Sequence, residues 1–222
     1  RFLSENPQQD TVEHPTTGKP YDMTFDRDLL AGSLRFLTYS ADSQAMLPLL
    51  IHEAATEARY DRMAAQLLIA TAGLQQSIAQ GMSLSVTCAE DWPLFPNPGD
   101  MSEYLMGDTM YRATKIQCEI WPRGERPDNF HQAVQSDVPV LLLSGELDPV
   151  TPPEYGEQAA QGFSNSLHLV ARGQGHIATT RGCMGRIVTD FVQTGSVENL
   201  DTECMANLQS TPYFIDLTGP RP

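Results

Sequence analysis

Val138-Pro139-Val140-Leu141-Leu142-Leu143 is a continuous apolar run that stops at Ser144-Gly145. A strand with one wet face alternates apolar and polar residues. An unbroken run suits a strand covered on both faces, as in a parallel sheet. Pro153 can open a helix running to about Gly162. Ser166 to Ala171 reads as the next strand, and Arg172-Gly173-Gln174-Gly175-His176 as a glycine-rich turn. Cys183 to Val192 carries Ile187, Val188 and Phe191 on one helical face. The order strand, loop, helix, strand, loop, helix implies right-handed β-α-β crossovers, so the fold class is α/β.

The earlier part has another texture. Residues 1 to about 22 are polar and rich in proline and turn formers, and read as an extended lead-in. From Phe25 to about Gln80 the pattern is helical. Leu29, Leu30, Ser33, Leu34 and Leu37 form one face. Met46, Leu47, Leu50, Ile51 and Ala54 form a second, with Pro48 near the first turn. Tyr60, Met63, Ala64, Leu67, Leu68, Thr71 and Leu74 form a third. Ser83 to Thr87 alternates and is partly β-branched, which reads as a strand. A proline-rich loop follows, then a helix over about Met101 to Gln117.

Composition narrows the partners. The 222 residues carry a formal net charge of -14. Such a surface repels phosphate backbones, which argues against nucleic acid. No run approaches the roughly 20 apolar residues of a membrane span. The chain opens with Arg1, not Met, so the natural N-terminus is expected to lie elsewhere and a missing leader says nothing. Cys88, Cys118, Cys183 and Cys204 allow three disulfide connectivities. The sequential pairing closes local loops and is favoured; four free thiols are the alternative. Neither a CxxC pair nor another ligand cluster is visible, so no metal or organic cofactor is implied.

Ligands of open parallel sheets sit beyond the carboxyl ends of the strands. Asp148 follows the first core strand and His176 the second, and neighbouring parallel strands lie roughly 4.8 Å apart. A carboxylate on the far ring nitrogen of an imidazole fixes its tautomer and stabilises the imidazolium, so that the ring can take a proton from a weak nucleophile. Glu146 is the second choice for the acid. His14, His52 and His131 lack this setting, and His168 lies within a strand, where packing or surface exposure is expected. The nucleophile is missing, because Gly-x-Ser-x-Gly occurs nowhere. It is expected on an upstream segment, with this chain inert alone.

Gly145-Glu146-Leu147-Asp148-Pro149-Val150-Thr151-Pro152-Pro153 resembles the acid loop of the tripeptidyl aminopeptidase and proline iminopeptidase-like α/β-hydrolases. Gly173-Gln174-Gly175-His176 resembles their histidine loop. Val86-Thr87-Cys88-Ala89-Glu90-Asp91, Leu34-Arg35 to Tyr39-Ser40, Leu47-Pro48-Leu49, and the tail with Cys183 and Leu200-Asp201-Thr202-Glu203-Cys204 are similar as well. The resemblance implies the C-terminal portion of an α/β-hydrolase fold plus a helical cap. Residues 1–82 would be the lead-in and cap, and 83–222 the core part with Asp148 as triad acid and His176 as base. It also implies export, to the outside or the periplasm, and supports the local pairing of the cysteines. The substrate would be a peptide with a free N-terminus, whose ammonium needs a carboxylate, and Glu90, with Asp91 beside it, is the candidate. The alternatives are an esterase with the same triad and a non-catalytic fragment or binding module.

Overall fold

The computed structural model describes residues 2–220, the side chains of 74–76 excepted. Leu74, expected on the third helical face, therefore has its side chain outside the described residues. The chain packs as two compact units, Arg1–Phe36 with Glu53–His131 and Leu37–His52 with Gln132–Pro222. Part of the helical region, Leu37–His52, packs in the same unit as the parallel strands.

The first unit begins with a short helix, α1 (Phe2–Glu5), and an antiparallel hairpin, β1 (Gln8–Glu13) and β2 (Pro20–Phe25). The lead-in is thus extended but paired. Its turn closes through His14, whose backbone N–H donates to Lys19 O at 2.8 Å. Val12, Met23 and Phe25 point to one face and are buried. Asp26 caps α2 (Arg27–Leu37) by accepting the Leu29 N–H at 2.9 Å. α3 (Ala41–Thr56) supplies Glu53 to this unit, paired with Arg62 of α4 (Tyr60–Ser77).

Two expectations fail here. Ser83 to Thr87 is not a strand: α5 (Gln80–Val86) runs into one π-helical turn, Thr87–Asp91. Ser83 N–H donates to Ala79 O at 3.0 Å and Ser85 Oγ to Gly81 O at 2.9 Å. Five alternating residues do not hold a strand that has no neighbour to pair with, and the helix satisfies the same backbone groups locally. The helix expected from Met101 starts later, as α6 (Thr109–Ile120), because Met101 to Asp108 coils through turns with Gly107 at φ 53°. Cys88 pairs with Cys118 and ties the π-turn to α6.

The second unit holds the parallel pair β3 (Val140–Gly145) and β4 (Ser166–Ala171), in register from Val140 with Ser166 to Gly145 with Ala171. Between them runs α7 (Pro153–Ala160), and after them α8 (Met184–Thr194). Ala171, Ala178, Met184 and Ile187 are buried together, with Leu141, Leu143 and Leu169 of the strands packed against them. Cys183–Cys204 closes the edge of this core, so the pairing is sequential and no cysteine is free. Residues 41–52 of α3 belong here. Ser40 caps α3 through the Ser43 N–H at 3.1 Å, so the helix starts well before Pro48, which lies in its interior and not in its first turn. Among the described residues, no helix is long and apolar enough to cross a membrane, and no group of His, Cys, Asp and Glu could hold a metal ion.

Candidate active site

β3 and β4 end side by side, and the loops that leave them are joined by backbone bonds. Glu146 N–H donates to Ala171 O at 3.0 Å, and Leu147 N–H to Gln174 O at 2.8 Å. Glu146 Oε2 accepts the Gly173 N–H at 2.7 Å. Glu146 therefore braces the histidine loop and does not face the imidazole.

Asp148 does. Its Oδ2 accepts from His176 Nδ1 at 2.9 Å and from Thr151 Oγ1 at 2.9 Å. Its Oδ1 accepts the N–H groups of Val150 at 2.8 Å and Thr151 at 3.0 Å. Only 7% of Asp148 is exposed. Burial pushes its carboxyl up, but the bonds from the Thr151 amide, His176, the Val150 amide and the Thr151 hydroxyl outweigh burial and leave it below the ordinary aspartate value. The local sequence explains the geometry: Asp148 closes a turn onto the amides two and three residues ahead, and Pro153 then starts α7.

His176 is held at its backbone as well, where its N–H donates to Tyr39 O at 2.6 Å. Its side chain is 27% exposed. The next residue, Ile177, is left-handed at φ 64°, an uncommon state for a β-branched residue, and is 63% exposed. Strain of this kind clusters beside functional groups.

The other residues singled out make contacts of their own. His168 on β4 shares a hydrogen bond of 2.8 Å with Ser144 Oγ of β3 through Nε2, between the two strands. His14 shapes the hairpin turn through Nδ1. Glu90 and Asp91 belong to the first unit. They sit in the π-turn, Glu90 half-buried and Asp91 exposed, and follow a helix rather than a strand. Thr151 and Tyr39 were not singled out by the sequence. The spacing Asp148-x-x-Thr151 is a usable signal for the first; the second meets His176 only through the fold.

Residues 102–204 match the family model described as TAP-like protein, a tripeptidyl aminopeptidase-like α/β-hydrolase family. The match takes in Asp148, His176 and both cysteines of the second disulfide. No curated protein and no solved structure matches the chain significantly.

Proposed function

We propose that this chain carries the acid and the base of a serine hydrolase of the aminopeptidase kind, Asp148 being the acid and His176 the base. The observation that carries the reading is the 2.9 Å bond from His176 Nδ1 to Asp148 Oδ2, made where two adjacent parallel strands end. The match over residues 102–204 supports the hydrolase class. With Nδ1 donating to the carboxylate, the lone pair of the neutral ring is on Nε2.

The steps are those of acyl transfer. A serine hydroxyl attacks the scissile carbonyl and its proton goes to Nε2, while Asp148 stabilises the imidazolium. That proton then passes to the leaving amine; water attacks the acyl group as His176 takes its proton, and the proton passes to serine Oγ as its bond to the acyl carbon breaks, releasing the acid and restoring the serine. In this reading the serine is on a segment outside these residues, since the sequence has no Gly-x-Ser-x-Gly. Residues 1–82 are assigned to the lead-in and cap, and 83–222 to the core part. Glu90, with Asp91 next to it, is assigned to the substrate ammonium. Two disulfides suit an oxidising compartment, so we place the protein outside the cell or in the periplasm.

The test combines this chain with the segment that bears the serine. Peptide amides with a free N-terminus, the same peptides acetylated, and simple esters are offered in parallel. Cleavage of the free-amine peptides alone supports the aminopeptidase. Equal cleavage of acetylated peptides and esters points to the esterase. No turnover and no labelling by a fluorophosphonate overturns the hydrolase reading.

A further inference from the structure

The junction between α2 and α3 meets the histidine loop through Tyr39, in two different ways. The Tyr39 carbonyl accepts the His176 N–H at 2.6 Å. The Tyr39 ring stands edge-to-face against the imidazole, with centroids 5.5 Å apart and planes at 81°. The approach is close enough to dictate the residue before His176. A Cβ on Gly175 would lie 2.4 Å from Tyr39 O and 3.3 Å from Ser40 Cα.

The junction itself is fixed from several sides. Ser40 caps α3. Gln44 Nε2 donates to Thr38 O at 2.5 Å and to Leu147 O of the acid loop at 3.1 Å. Asp42 pairs with Arg181 at 3.0 Å and accepts from Thr211 Oγ1 at 2.9 Å. Tyr39 is thus presented by a braced segment, not by a free loop.

One bond from Nδ1 to a carboxylate sets the tautomer of an imidazole but leaves the ring able to tilt about that bond. A ring packed at right angles beside it removes the tilt. We infer that Tyr39 is the positioning residue of His176: its carbonyl sets the backbone and its ring sets the plane of the imidazole that Asp148 orients. This rests on the reading of Asp148 and His176 as triad partners, and it adds a third element to their support.

The test reads geometry and needs no turnover. In the full chain labelled with 15N and 13C, the His176 ring signals are assigned by their loss in His176→Gln. A cross-relaxation contact between the Tyr39 and His176 ring protons is expected, with a downfield Nδ1–H resonance. Tyr39→Leu removes the ring and keeps the carbonyl. It is expected to move the His176 ring-proton signals and to speed exchange of the Nδ1 proton by about two- to tenfold, the range an aromatic pair supports. Tyr39→Phe is expected to restore both. Loss of the ring contact in the unsubstituted chain overturns the inference, even if Tyr39→Leu fails to fold. So does a folded Tyr39→Leu with unchanged His176 signals. These outcomes are separate from the assay of the completed enzyme: hydrolysis can fail while the ring contact is present, and the contact can be absent in an active enzyme.

Discussion

Gly145, the last residue of β3, lies against Gly175 so closely that a Cβ built on it would stand 2.0 Å from the Gly175 carbonyl oxygen and 2.6 Å from that of Gln174. The acid strand and the histidine loop touch backbone to backbone at this point. Gly145→Ala must drive them apart. We expect a loss of about 2–3 kcal/mol, the cost of overpacking against atoms that cannot rotate away. Urea unfolding of the two proteins measures it, and an unchanged midpoint would contradict the close approach.

Asp148→Asn keeps an oxygen for the Val150 and Thr151 amides and places an amide N–H₂ toward His176. Donor then faces donor, and the imidazole turns to the tautomer with its proton on Nε2. In the completed enzyme kcat is expected to fall by about 10⁴-fold, while the fold is retained. Steady-state kinetics beside circular dichroism separates the two effects.

Acid should unfold the second unit through its paired carboxyls. Asp148 lies below the ordinary aspartate value because its accepted hydrogen bonds outweigh burial. Asp42 lies below it because of the Thr211 hydroxyl and Arg181. A depressed folded pKa means that the unfolded chain binds the proton first as pH falls. The stabilisation is complete above the unfolded value of about 4 and drains away as pH drops through the lower folded values. Urea midpoints should therefore fall from about pH 5 downward. Asp148→Asn and Asp42→Asn should each flatten that slope; an unaltered slope in both would refute the assignment.

Cys183 and Cys204 are 21 residues apart. Replacing both by serine should lower stability by about 3 kcal/mol, the entropy of closing such a loop in the unfolded chain. Mass analysis without reductant should first find both pairs intact, and the unfolding midpoint then gives the loss.

Ile177→Gly should stabilise the chain. The left-handed backbone costs a residue with a Cβ about 1 kcal/mol, and the exposed isoleucine side chain contributes little packing in return. A lowered unfolding midpoint would show that the side chain carries more than its exposure suggests.

Legibility followed the range of the interactions. Ser166 to Ala171 could be read as a strand, and as placed beside β3, because both segments are short, mostly apolar and flanked by turns. Asp148 and His176 could be paired because strand ends in a parallel sheet converge. Ser83 to Thr87 misled because its alternation is as short as a helical turn or two, and only a neighbouring strand could have decided it. Pro48 misled because the helix start is set by the Ser40 hydroxyl, a weaker mark in the sequence than a proline. Tyr39 lay in a segment that resembles the family, but nothing between α2 and α3 in the sequence announces that its carbonyl will meet the amide of a distant histidine. The choice between Glu146 and Asp148 was readable in part, since Thr151 stands where a capping aspartate needs it.

Four donors converge on the Asp148 carboxylate, and three of them come from its own turn. The group is therefore parked in place by neighbours that never leave, whatever the charge on the ring beside it. Under the proposed function, that leaves a nucleophile an acid and a ring already aligned.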